Sequence, residues 1–285
     1  MVGSRKNYVA LSAKAVIMLV LSLFFIIPLW LVLTGSFTEE FTFIRNGYSL
    51  GIEKFSLDAY SYVLGNEYVL RAMLNSLLVS AATVALAVCV NTLTAYVLAE
   101  KDLPGHRFLN FFFVFTMFFN AGMIPTFLVI KGIGLYDSLL ALILPGALMV
   151  YNILLIRSYL YSVSSALKEA ALIDGATSVQ VLMKVMIPLS TPIIITTGLI
   201  SLVIKWNSWF DVLIYLDAQS KHLWTLQYVV RQILTEFASF STDVSAPSNT
   251  VKNAIIIVTI LPLLLPFPFF QKYFANGIAF GGVKG

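Results

Sequence analysis

Charged residues are scarce in this sequence. Asp, Glu, Lys and Arg together make up 11% of its 285 residues, whereas hydrophobic residues make up 59%. A soluble domain carries roughly 25% charged residues, so too little charge is present to coat a water-facing surface. The same apolar excess rules out disorder. The lone cysteine, Cys89, excludes a disulfide scaffold. His106 and His222 stand far apart and form no zinc spacing with it, so no metal site is expected. No G-x-x-x-x-G-K-S/T phosphate loop occurs, and ATP hydrolysis by this chain is not expected. There is no Ser-His-Asp set or paired catalytic carboxylate, so no catalytic residue is assigned and the chain is not read as an enzyme. The basic residues are dispersed rather than gathered into a stripe, which argues against nucleic acid. What remains is a protein whose main solvent is lipid.

A bilayer core about 30 Å thick is crossed by roughly 20 apolar residues in a helix. Six runs meet or approach that length: Ala15–Leu33, Ala72–Leu98, Phe108–Ile130, Ser138–Ile156, Ile187–Ile204 and Ala254–Phe270. None holds a central Asp, Glu, Lys or Arg, and a helix satisfies its own backbone in hydrocarbon. The expected fold is an all-α membrane protein of six transmembrane helices, with residues 1–285 forming one transmembrane domain. The first run is longer than a signal-peptide core and no A-x-A-like site follows it, so it reads as an uncleaved anchor. Six crossings leave both termini on one side. With the N-terminus inside, ten Lys and Arg fall in inner segments against eight in the outer ones, and Lys6, Lys284 and the short loop Glu100–Arg107 favour the same side, so both ends are expected in the cytoplasm. The outer segments Gly35–Arg71 and Lys205–Lys252 are long, and Trp206, Trp209, Trp224, Tyr60 and Tyr62 within them suit a membrane interface. Pro28, Pro125, Pro145, Pro262, Pro266 and Pro268 fall within the apolar runs, as ordinary kinks or as hinges.

The inner segment Ser158–Met186 is far longer than the 2–8 residues that usually connect antiparallel helices. Ala166–Leu172 are good helix formers. Asp174-Gly175 supplies a stop, because glycine accepts the left-handed conformation beyond a helix end. Thr177 then has Gln180 three residues on, the spacing of a capping box. Two short helices meeting at a glycine turn are predicted, the second running from Ser178 towards Met186. Ala170 and Ala171 present almost no side chain, and Glu169 and Asp174 offer acceptors to Arg or Lys on another surface. On these grounds the segment is either a docking element or a helical hairpin lying on the lipid headgroups.

A resemblance separates the two. The spacing Glu169-Ala170-Ala171, then Gly175, then Val185-Met186-Ile187-Pro188 resembles the EAA signature of permeases of bacterial binding-protein-dependent ABC importers, with Val185 and Ile187 as apolar departures. The ending Gly281-Gly282-Val283-Lys284-Gly285, the stretch Ser56-Leu57-Asp58 and the run Trp206-Asn207-Ser208-Trp209-Phe210 are similar to MalG-like sugar permeases. Within that group the chain looks closest to permeases for complex oligosaccharides, including uronate-containing ones. The resemblance implies a type I ABC importer permease in the bacterial inner membrane, with residues 158–186 as a cytoplasmic coupling loop. It implies that Glu169, Ala170, Ala171, Asp174 and Gly175 meet an ATP-binding subunit pair, and that Gly281, Gly282 and Lys284 form a functional tail. ATP and magnesium would be used by those partner subunits, with no cofactor on this chain. A second permease subunit and an external solute-binding protein would complete the assembly, the latter facing the outer segment Leu216–Pro247.

Asn91, Asn120 and Asn152 are uncharged polar residues in the apolar runs, with Asn91 and Asn120 expected well inside their helices. Such amides either hydrogen-bond between helices, at about 0.6 kcal/mol on average, or face a wet cavity and meet sugar hydroxyls together with Trp206 and Asn207. The competing class is an ion-coupled secondary transporter. It would place ionisable groups near the midplane, whereas all 14 acidic residues fall in loops or near helix ends.

Overall fold

The computed structural model describes residues 2–163, 165–236 and 248–270. The tail residues Gly281, Gly282 and Lys284 lie outside them, as does most of the end of the Leu216–Pro247 segment. The helices are α1 (Val2–Ser36), α2 (Glu40–Asn46), α3 (Asp58–Gly65), α4 (Glu67–Ala99), α5 (His106–Phe118), α6 (Met123–Gly132) and α7 (Leu139–Ala147). They continue with α8 (Val150–Ser162), α9 (Ser165–Ile173), α10 (Ser178–Val181), α11 (Ile187–Trp206), α12 (Trp209–Tyr215), α13 (Leu226–Glu236) and α14 (Asn249–Leu264). Among the described residues the only β pairing is an isolated bridge between Thr38 and Phe55. Five helical stretches are long and apolar enough to cross a membrane: Ala13–Ser36, Glu67–Ala99, Leu139–Ser162, Ser178–Trp206 and Asn249–Phe270.

The expected third crossing is not one straight helix. The run Phe108–Ile130 breaks between α5 and α6, which meet at 113°, so a sixth crossing exists only if this bent pair is counted as one. Asn120 therefore lies in the break, exposed, and not inside a helix as expected. The physical cause is local. The Asn120 side chain accepts a hydrogen bond from the Gly122 N–H at 2.8 Å, an Asx-type turn that competes with helix. Gly122 takes φ +88°, which a residue with a Cβ resists. Pro125 then sits in the first turn of α6, where its missing N–H costs nothing.

The chain divides into two compact units, Met1–Leu70 with Val230–Leu261 and Arg71–Val229 with Pro262–Gly285. In the first unit the end of α1 is tied down by polar contacts to the segment that follows it. Trp30 Nε1 donates to the Leu50 carbonyl at 2.9 Å, Thr34 Oγ1 to that of Ser49 at 2.7 Å, and Ser36 Oγ pairs with Tyr60 Oη at 2.8 Å. By contrast, none of the most apolar stretch of α1 is buried within the chain. Gly35 is required for close approach, since a Cβ there would stand 2.6 Å from Asn253 Nδ2.

The N-terminus of α14 exposes backbone N–H groups without intrahelical partners, and Glu40 supplies the missing acceptor from α2. Its carboxylate takes the Asn249 N–H at 3.1 Å, the Thr250 N–H at 3.0 Å and the Thr250 hydroxyl at 2.6 Å. A negative charge there also complements the helix dipole. Burial pushes this carboxyl up, but hydrogen bonds from Thr250, Ser248 and Asn249 outweigh it and hold Glu40 below its ordinary value near 4.5.

Glu40→Gln is expected to destabilise the first turn of α14 by about 1 kcal/mol at neutral pH, the usual size of a lost cap. Hydrogen exchange of the amides at Asn249–Asn253 is the measurement. Because the carboxyl is depressed, its contribution is present above its unfolded value and fades as pH falls through the folded one. The two proteins should therefore converge on acidification, and equal exchange at neutral pH would contradict the cap.

Candidate functional site

In the second unit, α4 carries attachments at both ends. Near its start Asn75 Nδ2 donates to the carbonyls of His222 at 2.8 Å and Trp224 at 3.0 Å, and Ser76 Oγ accepts the Leu226 N–H at 2.7 Å. Ser76 thereby satisfies a donor at the start of α13. At the other end the Leu98 carbonyl has no partner further along the helix. Arg157 Nε, from α8, donates to it at 3.2 Å, and Tyr161 Oη approaches it at 3.4 Å. The Arg157 guanidinium also lies 5.0 Å from the Tyr161 ring centre. A cation at a helix C-terminus is favourable on dipole grounds.

Beside this end stands the hairpin anticipated between the fourth and fifth runs. The first helix, α9, closes in a Schellman motif. The Ala176 N–H reaches the Ala171 carbonyl and the Gly175 N–H that of Leu172, both at 3.0 Å, with Gly175 at φ +83°. The capping box at Thr177 is complete: its hydroxyl accepts from Gln180 N, and the Gln180 side chain accepts from Thr177 N. The helix expected from Ser178 towards Met186 is α10 followed by a π turn over Leu182–Met186, which feeds directly into α11. Pro188 is tolerated at the start of α11.

One face of the hairpin belongs to a core of Tyr96, Leu98, Ile153, Ile156, Leu160, Val181, Leu182 and Met186, against which Ala171 and Ala176 pack. The other face is open. Glu169, Ala170, Asp174 and Gly175 are exposed, Ile173 is 85% exposed, and Leu167, Leu172 and Val179 are also uncovered. Lys168 turns inward instead and forms an ion pair with Glu100, the residue after α4. A two-helix hairpin with carboxylates at its first helix and turn is thus held by its back against the core, with its front exposed.

Asn91, Asn120, Asn152, Trp206 and Asn207 occupy different environments. Asn91 is buried, and its Oδ1 accepts the Met149 N–H at 3.2 Å. That N–H is freed by the break between α7 and α8, downstream of Pro145. Asn152 is fully enclosed and donates to the Thr197 carbonyl at 3.2 Å and Ser201 Oγ at 2.9 Å. Both amides thus hold helices together. Trp206 is 3% exposed and packs inside, contrary to its expected place at an interface. Asn207 is exposed at the end of α11; it donates to the Val203 carbonyl and accepts from Gln227.

Lys205 was not anticipated. Read as the first residue of a loop, it instead lies within α11, with its side chain 7% exposed and its ammonium 2.7 Å from Asp211. Ser208 Oγ donates to the same carboxylate oxygen. A buried ammonium needs such a partner, and Asp211 six residues on was the available signal. Gly146 lies close to Thr83, where a Cβ would stand 3.1 Å from the Thr83 methyl, with the Lys205 stem at ordinary contact distance, 3.6 Å. Among the described residues no group of His, Cys, Asp and Glu could hold a metal ion.

Residues 92–280 match the family described as binding-protein-dependent transport system inner membrane component. The chain is 36% identical to the polygalacturonan/rhamnogalacturonan transport system permease protein YtcP of Bacillus subtilis (strain 168), over 94% of this chain and 96% of that protein. It is 27% identical to the arabinooligosaccharides transport system permease protein AraQ of the same organism, over 96% of this chain and 95% of that one. Among solved structures it is similar, at TM-score 0.83 and 29% identity, to a chain of a bacterial ABC transporter involved in the import of the acidic polysaccharide alginate. That likeness covers 95% of this chain and 98% of the other.

Nothing lies within 4 Å of a Cβ added at Gly175, so substitution there acts through the backbone alone. Gly175→Ala is expected to cost about 1–2 kcal/mol and to raise hydrogen exchange across Leu172–Ala176 roughly tenfold. Gly175→Asn should lose less, because asparagine tolerates the left-handed region. Identical exchange in all three proteins would show that the turn does not depend on glycine.

Proposed function

This chain belongs to the binding-protein-dependent transport system inner membrane components, and from that premise we propose that it forms half of a pathway for complex oligosaccharides, uronate-containing ones foremost. The relatives' substrates support that class: one is a permease for polygalacturonan and rhamnogalacturonan, and the solved neighbour belongs to an importer of alginate. The chain is a transporter permease and not an enzyme. An ion-coupled carrier finds no support in these relatives.

In this reading a second permease subunit completes the pathway, a solute-binding protein delivers the sugar, and a pair of ATPase subunits beneath the membrane uses ATP and magnesium. The observation that carries the ATPase contact is the open face of α9. Glu169 is exposed there and has no partner among the described residues, flanked by Ala170, which lets a surface approach closely. Glu169 pairs with a basic residue in an ATPase cleft, Ala171 seats the helix from behind, and Asp174 and Gly175 close it. Gly281, Gly282 and Lys284 belong to the functional C-terminal tail of the permease. For the pathway, the exposed amides Asn120 and Asn207 are the candidates to meet sugar hydroxyls, whereas Asn91, Asn152 and Trp206 support the walls. Weak, scattered contacts suit a permease, which must release what it binds.

Two measurements test this assembly. Glu169→Ala leaves a partly desolvated partner charge unpaired, a loss of about 2–5 kcal/mol, and should abolish sugar uptake and reduce co-purifying ATPase while the protein still reaches the membrane. Full uptake with unchanged ATPase would leave the hairpin as a surface feature only. The second addresses topology, with both termini in the cytoplasm. Single cysteines at Pro104 and Gly175 in a Cys89-free variant should resist an impermeant thiol reagent applied to intact cells, whereas those at Gly51 and Ser245 should react. Equal labelling of the Gly175 and Ser245 variants would refute that orientation.

A further inference from the structure

Glu100 is out of place by local rules. It follows the last residue of α4, where the helix end is already negative and an acidic side chain is disfavoured. What it meets there is Lys168, the residue immediately before the exposed Glu169. The two side chains are about equally covered, 28% exposed for Lys168 and 33% for Glu100. On α9, successive residues project about 100° apart. Tying Lys168 inward therefore sets the direction in which Glu169 points. Within α9 and just beyond it, Ala171 and Ala176 pack on the core, but their short side chains resist rotation of the helix about its axis only weakly. The anchor is itself held: Arg157 and Tyr161 engage the Leu98 carbonyl two residues earlier. His106 meets Tyr161 Oη at 3.2 Å, and the Lys101 ammonium lies 5.8 Å from the Tyr161 ring centre.

We propose that the Glu100–Lys168 ion pair is a rotational lock that positions the coupling helix. It fixes the angle at which α9 presents Glu169, and so keeps ATP use tied to sugar movement. The proposal rests on the ATPase-docking reading above. Glu100 and Lys168 are positioning residues and touch neither sugar nor nucleotide. Because α4 continues without a break from Asn75, which holds the 222–224 segment, to Ala99, the residue before Glu100, the lock attaches the coupling helix to the end of the longest uninterrupted helix of its unit.

The test uses Glu100→Lys, Lys168→Glu and the double reversal, each in the complete transporter with its binding protein and alginate or galacturonate oligosaccharides. Each single reversal sets like charges face to face. It should raise the ATP hydrolysed per sugar imported about fivefold, the scale set by a partly exposed pair, while the ATPase still co-purifies. The double reversal restores opposite charges and should return the ratio to within about twofold of the parent. Hydrogen exchange of Ala166–Ile173 in the permease alone, which needs no ATPase, should rise in the single variants and fall back in the double. An unchanged ratio in the single variants, or failure of the double reversal to restore it, would overturn the lock. Were exchange to respond while the ratio did not, the pair would be structural only and the positioning role would be lost. The docking reading itself fails by a different sign, namely undiminished ATPase binding by Glu169→Ala.

Discussion

Hydrocarbon contains no water to take up a stray N–H or carbonyl, so each backbone group freed by a break in a membrane helix must find a partner within the protein. The second unit is organised around that demand. The interruption between α7 and α8 releases the Met149 N–H, and Asn91 on α4 accepts it. The break between α5 and α6 is closed by the Asn120 side chain on Gly122. The end of α4 is satisfied by Arg157 and Tyr161. Polar residues in these apolar runs are consequently structural partners first.

The same economy of polar contacts explains the hairpin. Its helices are too short to be stable alone, so they depend on end signals and on a packed back. The Schellman closure at Gly175 and the capping box at Thr177 satisfy the ends. Val181, Leu182 and Met186 join the core shared with α4 and α8. With the back committed, the front keeps its apolar side chains and carboxylates exposed.

The hairpin was legible in the sequence because its determinants are local. Helix-forming residues, a glycine stop and a capping pair lie within a few positions of one another, and each works through its own backbone. Five apolar stretches were legible for a related reason, since run length against bilayer thickness needs no knowledge of neighbours. The third run shows where that reasoning was incomplete. Hydrophobicity spoke for one helix over Phe108–Ile130, while Asn120, Gly122 and Pro125 together spelled a turn and a new start. Those signals were present and were outweighed by composition.

Residue types and spacing determined by themselves that this chain is helical, lipid-embedded and equipped with a two-helix hairpin between its fourth and fifth apolar runs, because those properties arise from short-range backbone preferences and from burial in lipid. Pairings between distant residues were decided only by tertiary structure. Nothing in the sequence says that Glu40 caps a helix more than two hundred residues later, that Trp206 faces inward, or that Lys168 is tied to Glu100. Such partners are selected by proximity after the helices pack. Charge and hydrogen-bonding capacity can be read from a sequence, but the neighbour that satisfies them depends on where the chain returns.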